Sequence, residues 1–232
     1  MFFSPVITFD GPSGSGKSSL CKLLSKKIKW NFLKSGMIYR VIAIKLFNNK
    51  IELSEKKIIN FLKNLNFINS IDLLKKEIKK EKYLKFNFFP KIYKILSIFS
   101  NFPKIRKFLF KIQQMFRQPP GLIAEGRDMG TVVFSDALLK FFLDANLKDR
   151  AYRRTLELQK NGFNVTFKDI LFSMWKRDNQ DYNRNISPLI PPKNSIIIDS
   201  TYLNLKQILK IILTHIKKNS IIYSIIKKNI IL

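Results

Sequence analysis

The chain of 232 residues has little cysteine, little histidine and few acidic side chains: one cysteine, one histidine, and 16 Asp and Glu against 43 Lys and Arg. Because Cys21 has no second cysteine to pair with, an intrachain disulfide is excluded, and we expect a reducing, cytoplasmic compartment. No apolar run approaches the ~20 residues that a membrane-spanning helix needs. The opening residues predict a strand rather than a signal peptide.

The formal net charge of +27 has two interpretations. A basic surface attracts nucleic acids and anionic membranes. The excess, however, is lysine spread along a chain rich in Ile, Asn and Phe, a composition typical of an AT-rich genome. We favour compositional drift, in which the positive field still attracts anionic nucleotides.

Short apolar runs alternate with helical patterns along the chain. Residues 6–10, 122–124, 140–144 and 195–199 predict buried strands, and residues 17–28 and 38–48 predict helices. In the first helix Leu20, Leu23, Leu24 and Ile28 form the expected apolar stripe. Strands that alternate with helices predict an α/β fold with a parallel sheet, whose ligands bind at the carboxyl ends of the strands.

Three stretches are less regular. Residues 51–100 predict a peripheral insert of helices and short strands, and residues 148–185 predict two Arg-rich helices around Asn161-Gly162. The tail, residues 217–232, alternates lysine pairs with isoleucine. We expect it to form a terminal helix on the core, with an amphipathic membrane contact as the alternative.

The strongest local signal is a glycine-rich loop between the first strand and the first helix. Residues 11–18 read GPSGSGKS and match G-x-x-x-x-G-K-[ST]. Such a loop points backbone N–H groups at phosphate oxygens, and the helix after it adds its positive dipole end. Lys17 is expected to reach the β- and γ-phosphates of ATP, and the Ser18 hydroxyl to bind Mg²⁺.

Arginine is retained at a few positions in a chain whose usual cation is lysine. Arg177, Asp181 and Arg184 are spaced to share one helix face, as are Arg150 and Arg154. The guanidinium group binds phosphate bidentately, which lysine cannot do. Any one of these charges alone is more typical of a solvated helix face.

The motifs SGMIYR, FPKIR, EGRDMGTVVF, DRAYRR and RDNQDYNRNISPL, which follow the phosphate loop in this order, resemble those of the bacterial cytidylate kinases. The resemblance covers nearly the whole chain. It implies a P-loop NTPase-type three-layer α/β fold with a parallel central sheet, a nucleotide-binding insert and a helical lid. It also implies transfer of the γ-phosphoryl group of ATP to CMP or dCMP by a monomer, with Mg²⁺ and without a nucleic-acid or membrane partner.

The resemblance also implies a role for each matching residue. Lys17, Arg150 and Arg154 are the expected catalytic cations, the two arginines closing from the lid. Residues expected to hold ATP are Gly11, Pro12, Ser13, Gly14, Ser15, Gly16, Lys17, Ser18 and Ser19. Residues expected to hold the acceptor are Ser35, Arg40, Ser97, Arg106, Arg127, Asp128, Arg177, Asp181 and Arg184. Of these, Ser97, Arg106 and Asp128 would contact the cytosine ring, and Arg40, Arg127 and Arg184 the acceptor phosphate.

We expect one domain over residues 1–232, with a core of about 1–37, 104–147 and 186–232, an insert of about 38–103 and a lid of about 148–185. The sequence departs from the family pattern at Lys34, Phe88 and Glu125, where the family usually has Asp, Arg and Asp. Two other functions stay open at this point: another small-molecule P-loop kinase, or a basic nucleic-acid-binding protein with a vestigial P-loop whose Phe86, Phe88 and Phe89 stack on bases.

Overall fold

The computed structural model describes residues 4–65, 70–79 and 90–231. The chain divides into two compact units. The first unit comprises Met1–Leu33 and Arg117–Leu232, and the second comprises Lys34–Phe116. Phe86, Phe88 and Phe89, considered above for base stacking, lie outside the described residues.

A five-stranded sheet organises the first unit, in the order β2-β3-β1-β4-β5. β1 pairs in parallel with both β3 and β4, and β4 pairs in parallel with β5. This arrangement confirms the predicted α/β fold with a parallel sheet. The strands are β1 (Val6–Asp10), β2 (Asn31–Lys34), β3 (Leu122–Glu125), β4 (Leu139–Asp144) and β5 (Ile196–Asp199).

Helices cover the sheet and form most of the second unit's described structure. In chain order they are α1 (Lys17–Ile28), α2 (Ser35–Asn48), α3 (Glu55–Lys63), α4 (Ile71–Ile78), α5 (Pro90–Phe99), α6 (Pro103–Gln114), α7 (Leu147–Lys160), α8 (Phe167–Asn183), α9 (Leu205–Lys218) and α10 (Ser220–Ile231). A π-helical turn spans Met129–Val133.

The core of the first unit lies where α1, α9 and α10 cover the sheet. Phe9 of β1 stacks on Phe141 of β4, with ring centroids 5.0 Å apart and planes 13° apart. Ile222 and Ile226 of α10 belong to the same buried cluster. Their burial confirms that the tail is a terminal helix on the core. Within the described residues, no helix combines the length and the apolar character needed to cross a membrane.

The second unit is held by apolar contacts among its helices and by one shielded ion pair. Tyr39 of α2 stacks on Phe99 of α5 at a centroid distance of 5.9 Å. The Lys45 ammonium lies 2.9 Å from the Glu77 carboxylate, which is largely buried. Ser54 caps α3 by accepting a hydrogen bond from the backbone N–H of Lys57.

The structure corrects several predicted boundaries and exposures. β2 was not predicted, because its four residues, NFLK, include two polar ones. α2 begins at Ser35, three residues before the predicted start. Leu23 is 38% exposed and so lies outside the buried stripe of α1. His215 is partly exposed and packs edge-on against Phe141, with ring centroids 6.2 Å apart. The described part of residues 51–100 contains helices but no strand.

Candidate active site

The glycine-rich loop curls between β1 and α1 through backbone conformations that favour glycine. Gly11, Gly14 and Gly16 have φ angles of 139°, 77° and 88°. A Cβ atom on Gly11 would lie 2.0 Å from the carbonyl oxygen of Leu143 in β4. Side chains are therefore excluded at Gly11 both by conformation and by space. Gly16 is the N-cap of α1, so the positive end of that helix faces the loop.

The side chain of Lys17, the first residue of α1, folds back over the phosphate loop. Its ammonium donates to the carbonyl oxygen of Pro12 at 2.6 Å and to the Ser15 hydroxyl at 3.0 Å. Burial, and then the nearby charge of Arg127, lower the pKa of Lys17 from 10.5 to about 7. An anion placed in the loop would oppose both effects and stabilise the ammonium form.

A buried serine that follows the edge strand β5, Ser200, contacts the phosphate loop. The Ser200 hydroxyl, just after β5, lies 3.1 Å from the carbonyl oxygen of Ser15 and 2.9 Å from that of Asp144. Ser200 is fully buried, so these contacts are shielded from water. Arg153 donates to the carbonyl oxygens of Ser200 and Thr201, both at 2.7 Å. The loop after β5 therefore fixes one side of the phosphate loop.

A carboxylate meets the phosphate loop at the end of β3. The Ser18 hydroxyl donates to Glu125 Oε1 at 2.5 Å. Glu125 is 8% exposed, and its other oxygen, Oε2, is buried without a hydrogen-bond partner among the described residues. An oriented hydroxyl and an unsatisfied carboxylate oxygen are hard ligands of the kind that Mg²⁺ prefers. The residues present therefore fit the predicted metal.

Within the described residues, no group of three or more His, Cys, Asp and Glu side chains could hold a metal ion without other ligands. Mg²⁺ commonly binds through one or two protein ligands, with water and substrate phosphates completing its octahedron. The pair Ser18 and Glu125 suits an ion that arrives with a nucleotide.

Three guanidinium groups converge on Asp181. Arg127 donates to its Oδ2 at 3.0 Å, Arg184 lies 3.4 Å from Oδ1, and Arg177 lies 3.9 Å from Oδ2. Burial alone would raise the pKa of Asp181, but the three arginines hold it below 3.8. Arg127 also donates to the carbonyl oxygen of Gly11 at 2.9 Å. The cluster is thus bonded directly to the phosphate loop.

The predicted shared helix face is only partly correct. α8 ends at Asn183, and Arg184 has an extended backbone with φ −69° and ψ 138°. Arg184 still reaches Asp181, because its guanidinium turns back and its Nε donates to the carbonyl oxygen of Ser187 at 2.5 Å. The spacing therefore correctly predicted that Arg184 lies close to Asp181. The expected cause, a helix that includes Arg184, was wrong.

Asp128 lies at the end of the short loop that follows β3. It is 7% exposed and is the N-cap residue of the π-helical turn. Within this described segment its side chain makes no capping hydrogen bond to the turn. The backbone N–H groups of Met129 and Gly130 donate instead to Asp10, at 2.8 and 2.7 Å.

The two arginines expected to close from the lid have different surroundings. Arg150 is buried and donates to Asp178 Oδ2 at 2.6 Å and to the carbonyl oxygens of Ala145 and Ser13 at 2.8 and 3.0 Å. Arg154 pairs with Glu157 on the outer part of α7, at 2.6 Å. Arg150 thus ties α7 and α8 to the phosphate loop, while Arg154 lies nearer the solvent.

The remaining predicted residues belong to the second unit. Ser35 is buried at the start of α2, and Arg40 in the same helix lies 3.7 Å from the Met37 sulfur. The Ser97 hydroxyl in α5 donates to the carbonyl oxygen of Lys94 at 2.9 Å. Arg106 in α6 is buried and donates to the carbonyl oxygen of Ser100 at 3.0 Å.

Sequence reasoning missed Asp10, Ser200 and Asp178, and it noted Glu125 only as a departure from the family pattern. Asp10 and Glu125 each end a buried strand, a position where an acidic residue is a recognisable signal. Ser200 and Asp178 offered no comparable signal.

The sheet, the glycine loop at the end of β1 and the cationic cluster bonded to that loop define a P-loop nucleotide-binding protein. The comparisons specify the family. The family model described as Cytidylate kinase matches residues 7–218. The chain belongs to the cytidylate kinase family.

Curated relatives agree with that assignment. A cytidylate kinase of Buchnera aphidicola subsp. Baizongia pistaciae is 48% identical over 218 residues, covering 92% of this chain and 94% of its own. A cytidylate kinase of Yersinia enterocolitica is 41% identical over 210 residues, covering 89% of this chain and 91% of its own. These similarities do not favour a nucleic-acid-binding protein with a vestigial P-loop.

Proposed function

We propose that the chain transfers the γ-phosphoryl group of ATP to CMP and dCMP, giving ADP and the corresponding diphosphate. The observation that carries this proposal is the bonding of a three-arginine cluster to the phosphate loop through Arg127 and Gly11. The transfer requires two polyanions to be held end to end, and this arrangement places several cations next to the loop that holds the donor.

The donor is held by the glycine loop and by Mg²⁺. The backbone N–H groups of the loop and the N-terminus of α1 bind the phosphates, and Lys17 leaves its contact with Pro12 to reach them. Ser18 and Glu125 would hold Mg²⁺, which supplies neutralisation of phosphate charge when it is bound. The proposed ATP-binding residues are those from Gly11 to Ser19.

The acceptor is bound by charge at its phosphate and by hydrogen bonds at its base. Arg127, Arg184 and Arg40 are proposed for the phosphate, and Arg177 and Asp181 for the sugar. Asp128, Arg106 and Ser97 are proposed for the cytosine ring, with Ser35 lining the site. A carboxylate and a guanidinium suit the amino donor and ring acceptors of cytosine, so a base lacking that pattern leaves them unmatched.

The reaction needs no general base from the protein. The second pKa of a phosphate monoester is ~6, so the attacking oxygen is already ionised at neutral pH. The protein's own contribution is to orient the two nucleotides and to offset the charge that spreads over the transferring group. This requirement suits a chain with one histidine, His215, which lies against Phe141 in the core.

The helices α7 and α8 are proposed to form the lid, within residues of about 148–185, while residues of about 38–103 form the nucleotide-binding insert. Of the two arginines proposed to close from the lid, Arg154 is the more exposed, with 22% of its side chain exposed against 6% for Arg150. Closure would exclude water and so suppress hydrolysis of ATP. We further propose that the enzyme acts as a cytoplasmic monomer.

A substrate panel tests the proposal. The rate of ADP release from MgATP is measured with CMP, dCMP, UMP, AMP and GMP as acceptors, for the native chain and for Lys17→Ala. We expect CMP and dCMP to give the highest rates, and Lys17→Ala to lose activity on the order of a hundredfold or more while its circular dichroism is unchanged. A panel in which a purine nucleotide is preferred would contradict the proposal.

A further inference from the structure

Asp10 is a fully buried acidic residue that the proposed reaction does not use. It ends β1 directly before the phosphate loop, and its side chain faces the segment that follows β3. Oδ1 accepts a hydrogen bond from the N–H of Met129 at 2.8 Å, and Oδ2 accepts one from the N–H of Gly130 at 2.7 Å. Both oxygens of a costly buried carboxylate are therefore committed to one short stretch of backbone.

These two amides are the first of the π-helical turn, where a capping residue normally acts. Asp128 occupies the N-cap position, and aspartate there usually accepts from the amides of its own helix. In this segment Asp128 makes no capping bond, and Asp10, 118 residues earlier in the chain, provides the acceptors for the first two amides. Asp10 therefore takes the capping role at these two amides.

The backbone of the segment is also fixed on its other sides. Gly126 donates from its N–H to the carbonyl oxygen of Phe9 at 3.0 Å. A Cβ atom on Gly130 would lie 2.7 Å from the Thr8 hydroxyl oxygen and 2.8 Å from Cγ of Pro192. The loop between Gly126 and Gly130 is thus bonded to β1 at both ends, with little space in which to move.

We propose that Asp10 is a positioning residue for acceptor specificity: by capping the turn at Met129 and Gly130 from a neighbouring strand, it holds the Asp128 carboxylate in place to read the cytosine ring. The inference rests on the proposed function, because it assumes that Asp128 reads the base. Asp10 itself touches neither nucleotide.

A competing role for Asp10 is that of a counter-ion for Lys17, whose charge lies close enough to act on it. The two roles predict different kinetics. Loss of a counter-ion would alter the binding of ATP with either acceptor to the same extent. Loss of the cap would alter the choice between cytosine and uracil and leave ATP binding nearly unchanged.

The test compares Asp10→Asn, Asp128→Ala and the double variant with the native chain. In Asp10→Asn one acceptor becomes an NH₂ donor that faces a backbone N–H, so the cap is broken at little change in size. We expect the ratio of kcat/KM for CMP over UMP to fall on the order of tenfold, with KM for ATP changed less than about twofold. In the Asp128→Ala background, Asp10→Asn should leave the ratio where it is.

Asp199→Asn is the control for loss of a carboxylate at a strand end. Asp199, although exposed, also ends a strand and accepts from the N–H of Thr201 at 2.9 Å, but the loop it holds lies after β5. In Asp199→Asn the ratio of kcat/KM for CMP over UMP should equal that of the native chain.

The outcomes separate the inference from the proposed function. An unchanged ratio in Asp128→Ala would refute base reading itself. A lowered ratio in Asp128→Ala with a native ratio in Asp10→Asn would overturn only the role of Asp10. A change in Asp10→Asn that is confined to a higher KM for ATP would overturn it as well. Should Asp10→Asn not fold, Gly130→Ala decides instead, because its Cβ displaces the same amide. A native ratio in that variant would overturn the proposal.

Discussion

Two buried ionisable side chains flank the phosphate loop, Asp10 at the end of β1 and Lys17 at the start of α1, and both have shifted pKa values. Burial raises the pKa of Asp10 from 3.8 to about 7, against the effect of the Gly130 and Met129 amides. Burial and Arg127 lower the pKa of Lys17 to about 7. When no anion occupies the loop, this environment favours the neutral form of the Lys17 amine. The hydrogen bond to the carbonyl oxygen of Pro12 keeps the side chain folded over the loop.

We predict that, above neutral pH, the protein takes up a proton at Lys17 when it binds ATP. At pH 8 most of the Lys17 amines are neutral in the free protein, since their pKa is about 7. The polyphosphate raises that pKa, so the amine gains a proton on binding, whereas at pH 6 it is already charged. Titration calorimetry of MgATP in buffers of different ionisation heats measures the uptake directly.

Lys17→Met is the control for that measurement. The variant has no amine to protonate, so its binding heat at pH 8 should not depend on the buffer. Equal proton uptake by the native chain and the variant would contradict the assignment to Lys17.

Glu125 gives a second prediction at the same scale. Replacement by Gln keeps the hydrogen bond from Ser18 but removes the negative charge that we propose for binding Mg²⁺. We expect the Mg²⁺ concentration for half-maximal rate to rise on the order of tenfold, with KM for CMP nearly unchanged. A Mg²⁺ titration at fixed total nucleotide measures it. Asp136→Asn, at a surface pair with Arg117, is the control and should match the native chain. A native Mg²⁺ requirement in Glu125→Gln would exclude Glu125 from the metal site.

Among the secondary-structure elements, α10 shows how a basic, apolar tail is used in the core. Ile222 is fully buried, whereas its neighbour Ile221 is 57% exposed. The lysines therefore face outward while alternate isoleucines cover α1 and α9. We therefore expect the stability of the first unit to depend on this helix.

The neighbouring isoleucines provide a matched test of that dependence. Ile222→Ala should lower the free energy of unfolding by about 2–4 kcal/mol, because it leaves a cavity in the core. Ile221→Ala should lower it by less than about 0.5 kcal/mol, as is usual at exposed sites. Urea denaturation followed by circular dichroism measures both. Equal losses would show that α10 does not pack as described.

The sequence predicted elements well where the signal is contiguous and poorly where it depends on distant partners. The glycine loop and α1 were predicted with the observed bounds because their signals lie within one short segment. The hydrogen bonds from Met129 and Gly130 to Asp10 span 119 and 120 residues, and that from Ser200 to Ser15 spans 185. Such contacts depend on the order of strands in the sheet, which no local pattern encodes.

The predicted acceptor residues illustrate the same limit. Spacing correctly brought Arg177 and Arg184 to Asp181, but it gave no sign that Arg127 joins them from 54 residues away. The resemblance to the family supplied Arg127 as a site residue, without its bond to Gly11. The exposure of Leu23 was also misjudged, since helical periodicity predicts an apolar stripe but not its width.

At the scale of the whole molecule, the central claim is that the first unit presents a donor loop with a cation cluster bonded to it, and that this machinery serves phosphoryl transfer rather than ATP hydrolysis. We expect the net charge of +27 to assist the capture of anionic nucleotides without itself defining the reaction. Family membership, the fold and the contacts around Arg127 all agree with transfer.

The most direct test follows the transferred group itself. The purified chain is incubated with Mg²⁺, ATP labelled at the γ-phosphorus and CMP, and the labelled products are separated. We predict that the label moves into CDP, that little appears as inorganic phosphate, and that Lys17→Ala moves it on the order of a hundredfold more slowly or less. Label recovered only as inorganic phosphate, or a chain that leaves ATP intact with CMP present, would contradict the account.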